Sequence, residues 1–381
     1  MKIDIILGCL FGDEGKGQTV NALATKDSLV IRFSGGHQSG HNVVSETNQH
    51  IFSQLCAGTF KGAAAYISEF CTVYPKGFIK ELDALYRNNA SFMNEKVLQK
   101  YFVNPLAMVT TPYDIAYNKV REGIVKHGTT GAGYSATIER NENNITLYAS
   151  ELKIPFIYNH KIKQIMKYYE DIVRSFDIDS RLFYSDLVQE EEEDWQTALD
   201  YYLNKVNITG LNIDDYSHIV FEGSQGIMLD KQLGLFPHVT RSNTTAMNAM
   251  KMLQKMNARS NINSLTINYV TRAYMTRHGS GPFVEKTIKL KNTKNETNIL
   301  NDWQGEFRVA PMNFDLLRHA INVNNSIVSR YGFNYKTKLY VTCCVQMPKE
   351  FNSEDFEKKF IVSARRQVDN IYYKYSRDWI L

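Results

Sequence analysis

Residues 3–24, IDIILGCLFGDEGKGQTVNALA, constrain the fold of this chain more than any other stretch. Asp4-Ile5-Ile6-Leu7 is a short apolar run of the kind found in strands buried on both faces. Gly8, Gly12, Gly15 and Gly17 punctuate the turn that follows, and Thr19 to Ala24 reads as the opening of a helix. Strand, glycine turn and helix together aim backbone N–H groups and the positive helix end at phosphate. Lys16 adds a mobile cation at the same place. This is not a Walker loop, which would need Gly at the position of Leu10 and Ser or Thr at that of Gly17. Two acids, Asp13 and Glu14, interrupt the turn. A carboxylate there repels phosphate unless it takes a proton or holds a metal. The plainer reading of a lone turn is that Asp13 caps the helix.

With 381 residues, 43% of them hydrophobic and 22% charged, the chain can bury a substantial core as one large domain or two smaller ones. Lys plus Arg is 44 against 40 for Asp plus Glu, so the net charge of +4 is too mild, and its basic residues too scattered, to imply a nucleic-acid partner. The five cysteines (Cys9, Cys56, Cys71, Cys343, Cys344) show no metal-ligand spacing and read as reduced, buried residues of an intracellular, cytoplasmic protein. No apolar run approaches membrane-spanning length, so no membrane partner is expected.

Three further stretches repeat the strand-to-glycine-loop pattern. Leu29-Val30-Ile31-Arg32 runs into Ser34-Gly35-Gly36-His37-Gln38-Ser39-Gly40-His41-Asn42. Histidines in a glycine loop at a strand end are placed for proton or phosphoryl chemistry. Ile219-Val220-Phe221 empties into Glu222-Gly223-Ser224-Gln225-Gly226, followed by Pro237-His238-Val239-Thr240 and Ser242-Asn243-Thr244-Thr245. Leu265 to Tyr274 leads into Thr276-Arg277-His278-Gly279-Ser280-Gly281-Pro282-Phe283. Between them, His127-Gly128-Thr129-Thr130-Gly131-Ala132-Gly133 reads either as a flexible linker or as a hydroxyl and amide cup for a monophosphate. Residues 77–125 read as helical scaffold, for example Phe78 to Tyr86, and 160–206 as helices with a solvated face. The acidic run Glu190 to Asp194 reads as surface.

The loop G-D-E-G-K-G resembles the signature of the adenylosuccinate synthetase family, which joins aspartate to the 6-position of a purine nucleotide at the expense of a nucleoside triphosphate. Gly35 to His41 is similar to the family's G-G-H-N-A-G-H, Gly128 to Gly133 to G-T-T-G-R-G with Ala132 in place of Arg, Phe221 to Asp230 to F-E-G-A-Q-G-x-x-L-D, and Val239 to Thr245 to V-T-S-S-N-T-T. By this resemblance Asp13, Lys16 and His41 are catalytic, and Asp13 and the Gly40 carbonyl hold Mg²⁺. Gly12, Gly15, Gly17, Gly40 and Thr342 contact nucleotide. Gln38, Thr129, Thr130, Gln225 and Thr240 face the purine nucleoside monophosphate, and Arg140 reaches across a homodimer interface to the partner's nucleotide phosphate. Two departures stand out. The family's arginine-rich aspartate loop, T-T-G-R-R-R-R, corresponds to Trp303 to Pro311, where Arg308 alone remains for an L-aspartate carboxylate and Glu306 opposes one. The guanine-reading T-K-x-D becomes Thr342-Cys343-Cys344-Val345, which argues against GTP as the donor. Ser363 to Arg366 is the one late stretch suggesting a nucleotide contact.

The expected fold is therefore one α/β domain over residues 1–381, P-loop-NTPase-like, with a mostly parallel central sheet and a helical insertion at about 160–206. The expected function is a ligase that converts IMP to adenylosuccinate through a 6-phosphoryl intermediate, with ATP or dATP as donor. The resemblance leaves two alternatives: the viral branch that acts on (d)GMP in the 2-aminoadenine pathway, and a nucleotide-binding regulator without catalysis. Retention of Asp13, whose place many viral relatives fill with a smaller residue, favours IMP.

Overall fold

Nine strands pair in parallel, in the order Asn370–Tyr373, Lys336–Thr342, Ser264–Arg272, Lys2–Gly8, His218–Glu222, Ser28–Arg32, Ala64–Ile67, Tyr101–Val103 and Asn207–Ile208. The computed structural model describes residues 1–45, 47–89, 96–125, 128–175, 180–189, 192–256, 262–284, 288–291, 305–347, 349–361 and 368–375. The four apolar runs singled out in the sequence thus lie side by side at the centre of one sheet. Their period of two sends Ile3, Ile5 and Leu7 to one core and Ile6 to the other, so each face of the sheet is covered. Asp4 sits inside the first strand because it is satisfied there: His218 Nε2 lies 2.8 Å and Asn268 Nδ2 2.9 Å from its oxygens. Burial alone would raise the Asp4 carboxyl, but those bonds and the Lys2 charge outweigh it and hold it below the ordinary carboxylate range.

Because all the strands are parallel, their carboxyl ends open on the same edge of the sheet, where α/β proteins bind ligands. The segment from 265 to 274 is not one strand: pairing with its neighbours ends at Arg272, and Ala273 N donates to Thr342 O at 2.9 Å. Tyr274–His278 then joins Phe307–Pro311 in a separate antiparallel pair that rises over that edge. The stretch 77–125 is not wholly helical either. It carries the strand Tyr101–Val103, too short to show a period, between the helices Pro75–Asn88 and Pro112–Val125. Helices Pro155–Ser175, Ser180–Gln189 and Glu192–Lys205 fill the region read as a helical insertion. No described helix is long and apolar enough to cross a membrane. Ser363 to Arg366, Trp303-Gln304, His127 and Glu190-Glu191 lie outside the described residues.

Candidate active site

The first glycine turn folds back over the strand ends in a way only its residues permit. Gly12 and Gly15 take φ of +89° and +98°, and Asp13 between them is left-handed at +57°. A Cβ on Gly8 would stand 2.3 Å from Glu14 Oε2 and 2.4 Å from Gln225 O, so the strand must end in glycine for the two loops to meet. Helix Lys16–Leu23 starts directly after this turn. Buried Lys16 donates from Nζ to the Gln225 carbonyl, tying the first loop to the third. Thr342 Oγ1 donates to Glu14 O at 2.9 Å, tying in the strand beyond.

Glu14 is buried and accepts from Leu10 N at 2.8 Å. Burial pushes its carboxyl up to about 8, against the pull of Lys16, whose ammonium burial in turn pushes down. Relative to an ordinary value of 4.5, the folded protein keeps a proton that the unfolded chain gives up, so Glu14 costs stability as pH rises through that window. Glu14→Gln removes this slope. In thermal melts from about pH 5 to about pH 9, the variant is expected to gain on the native protein toward the alkaline end; parallel curves would contradict it.

His41 begins the strand His41–Val44 and packs on the first helical turn, where a Cβ on Gly17 would come within 2.7 Å of its own. Its Nδ1 is hydrogen-bonded to Glu222 Oε1, and Arg32 Nη2 lies 3.2 Å from the same nitrogen. Glu222 is anchored by Ala57 N at 3.0 Å, and Arg32 by the Ser39 carbonyl at 2.8 Å. Burial lowers the His41 pKa to about 4; Glu222 opposes and Arg32 adds to the fall. The Glu222 carboxyl is held low by Arg32 and His41 despite its burial. Thus Nδ1 is fixed by a carboxylate, while Nε2 is buried without a partner among the described residues, in a side chain that lines a cavity. Arg32 and Glu222 were not singled out from the sequence, although each ends a buried strand and so occupies the productive edge of the sheet.

That cavity, of about 980 Å³, is lined by Gly12, Asp13, Gly15, Lys16, Gly17, Gln38, Gly40, His41, Thr129, Thr130, Gln225, Thr240 and Thr342, so the three glycine loops converge on it. The amide oxygens of Gln38 and Gln225 are buried and lack partners among the described residues. Thr129 is positioned by Asn118 and Glu122 of helix Pro112–Val125, at 3.0 and 2.9 Å.

Two expected site residues are elsewhere. Arg140 is fully buried in its own chain, with Nε 2.7 Å from Asp114 Oδ1, Nη1 2.9 Å from Ile145 O and Nη2 donating to Val109 O. A guanidinium committed in this way cannot reach across an interface, and the reason for expecting it to act in a partner subunit falls away. Arg308 is not among the cavity residues. Its Nη groups donate to the carbonyls of Gly279 and Gly281, and its guanidinium lies over the Phe283 ring, so it braces that loop. Arg272 and Arg277 line the cavity instead, as does His278, whose Nε2 is 3.3 Å from Asp13 Oδ2.

A magnesium ion fits this donor set. Among the described residues no three His, Cys, Asp or Glu side chains cluster as an all-protein metal cage. Asp13 presents a partly exposed carboxylate and Gly40 a carbonyl at the same cavity, the kind of sparse oxygen set that Mg²⁺ completes with substrate phosphates and water. The far end is lined by Cys343, Val345, Gln346, Lys374 and Tyr375. Val345 is half exposed there, and none of those five is acidic.

A family model described as Adenylosuccinate synthetase matches residues 5–324. The chain is 30% identical over 294 residues to the adenylosuccinate synthetase of Borrelia duttonii and 31% identical over 290 residues to that of Buchnera aphidicola, covering 74% and 73% of this chain. It spans 64% of the length of each of these curated relatives. Among solved structures, fully ligated adenylosuccinate synthetase from Plasmodium falciparum has a TM-score of 0.64 at 18% identity, over 90% of this chain and 77% of that one. Succinoaminodeoxyadenylate synthetase of cyanophage S-2L, bound to dGMP and dATP as an energy donor, has a TM-score of 0.63 at 15% identity, over 99% and 93%. At such identities these structures establish a shared fold.

Proposed function

The chain belongs to the adenylosuccinate synthetase family, and from that premise we propose that it is a purine nucleotide ligase. It phosphorylates O6 of a 6-oxopurine nucleoside monophosphate with a nucleoside triphosphate, and the amine of L-aspartate then displaces phosphate at C6. The observation that carries this reading is the meeting of Asp13, Lys16 and His41 on one cavity, with His41 backed by Glu222. These groups suit phosphoryl transfer and have little use in a protein that only binds nucleotide.

Asp13 accepts the proton from N1 of the purine, which makes O6 a nucleophile toward the γ-phosphorus. The diphosphate leaves as the O6–P bond forms. Lys16 and the N–H groups of the turn balance the moving charge. His41 is neutral in the ligand-free protein. A phosphoryl oxygen at Nε2 favours its imidazolium, with Glu222 compensating the charge on the other nitrogen. Mg²⁺, held by Asp13 and Gly40, would supply charge neutralisation between donor phosphates. A matrix of IMP, GMP and dGMP against ATP, dATP and GTP, with aspartate and Mg²⁺, tests the reading; no product from any combination would overturn it.

IMP is the first choice of substrate, since Asp13 is kept where many viral relatives carry a smaller residue that leaves room for a 2-amino group. The rewritten donor end supports dGMP as the second, in line with the ligands of the cyanophage enzyme, 93% of whose length the shared fold covers. For the donor, guanine needs an acceptor pair for N1–H and N2–H₂, and Val345 offers none. ATP or dATP is expected to support turnover at least as well as GTP. Val345→Asp is expected to move the ATP-to-GTP ratio of kcat/KM toward GTP by about tenfold, the scale of one added ionic hydrogen-bond pair. A strong GTP preference in the native protein would contradict this.

A further inference from the structure

We propose that Arg241, assisted by Arg121, holds the 5′-phosphate of the monophosphate from within the same chain; this rests on the substrate class proposed above. Both arginines line the cavity that contains Thr129, Thr130 and Thr240. They are joined through one carboxylate: Glu139 Oε2 lies 2.5 Å from Arg121 Nη1 and 3.2 Å from Arg241 Nη2. Arg241 Nη1 also meets Glu142 Oε2 at 3.0 Å. Both arginines are linked to the threonine cup through the chain. Thr129 is held by Asn118 and Glu122, which flank Arg121 on the same helix, and Arg241 follows Thr240 in the chain.

An ordinary rim ion pair is the competing account, and three observations weigh against it. First, Arg140, the arginine expected at the phosphate, is wholly committed to Asp114 and backbone carbonyls. Second, Ala132 stands where the resembling motif has Arg, and Arg241, which lines the cavity, stands where it has Ser, so the chain lacks one of the motif's cations and carries another in its place. Third, the pair is poised for exchange. The Arg241 side chain is 36% and that of Glu142 51% exposed, so their bond contributes little and Glu142 can turn to water. The guanidinium would then meet phosphate oxygens in a two-pronged, charge-assisted contact, which is stronger than the bond it replaces. Glu139, held by Arg121, also holds the Arg241 head at the cavity.

The test compares calorimetric binding of IMP and inosine to the native protein, Arg241→Ser and Arg241→Gln, the second variant retaining side-chain bulk. The expected result is at least about a tenfold rise in Kd for IMP, the scale of one charged hydrogen-bond pair, with inosine unchanged. Adding Ala132→Arg to Arg241→Ser should recover part of the loss. Equal effects on IMP and inosine, or none on IMP, would overturn the assignment while leaving the ligase reading intact. A native protein that binds none of IMP, GMP and dGMP would overturn both. Native binding without turnover would remove only the ligase reading and keep the phosphate contact.

Discussion

Asp13→Ala is expected to lower kcat by at least about a hundredfold, the usual contribution of a positioned general base, while the Kd of the monophosphate stays within about threefold of native. The carboxylate acts on a proton that moves as O6 attacks, so its loss raises the barrier far more than it weakens the hold on the monophosphate. His41→Asn is expected to behave alike. Its Nε2 is buried without a partner among the described residues, and Glu222 fixes the other ring nitrogen. The two substitutions act on the same event and should not be additive when combined. Steady-state kinetics and calorimetric titration on the same preparations separate the two quantities. A variant with native kcat, or one with binding lost in step with kcat, would show that these residues are misassigned.

Arg140→Ala is expected to destabilise the protein by about 3–5 kcal/mol, the cost of removing one member of a buried ion pair. Both side chains are fully buried, and Asp114 also accepts from Thr111 N at 2.7 Å and Tyr169 OH at 2.6 Å. Without Arg140 that carboxylate keeps its desolvation cost and loses its counter-charge. Set against a typical domain stability of about 5–15 kcal/mol, the loss is large. Denaturant unfolding reads it directly. Activity per folded molecule, measured well below the melting temperature, should be close to native, because Arg140 is absent from the cavity lining. Normal stability with lost turnover, recovered by mixing with Asp13→Ala, would instead place Arg140 in a partner's site.

The contrast between these residues shows what a sequence of this kind reveals. Asp13, Lys16 and His41 were legible because each sits in a glycine loop directly after a buried strand, and parallel strands deliver such loops to a common edge. Local order was therefore enough to bring them together. Arg140 sits in the helix Tyr134–Glu142, and nothing nearby in the sequence shows that Asp114 lies against it in the fold. The contacts of Arg308 were not legible for a related reason: its partners are backbone carbonyls of a loop that only the antiparallel pair brings near. Glu222 was read as part of a motif without a role, since its meaning depends on His41 from another loop. The edge strand Asn207–Ile208 is too short for any periodic signal.

The central claim is that O6 of the purine bonds to phosphorus and leaves C6 as part of the released phosphate. IMP labelled with ¹⁸O at position 6, incubated with ATP, aspartate and Mg²⁺, tests it most directly when the released phosphate is analysed by mass spectrometry. One labelled oxygen per phosphate released, equal in amount to product formed, is the predicted result. Unlabelled phosphate accompanying product would contradict the account, because the oxygen leaving C6 would then have departed without ever bonding to phosphorus.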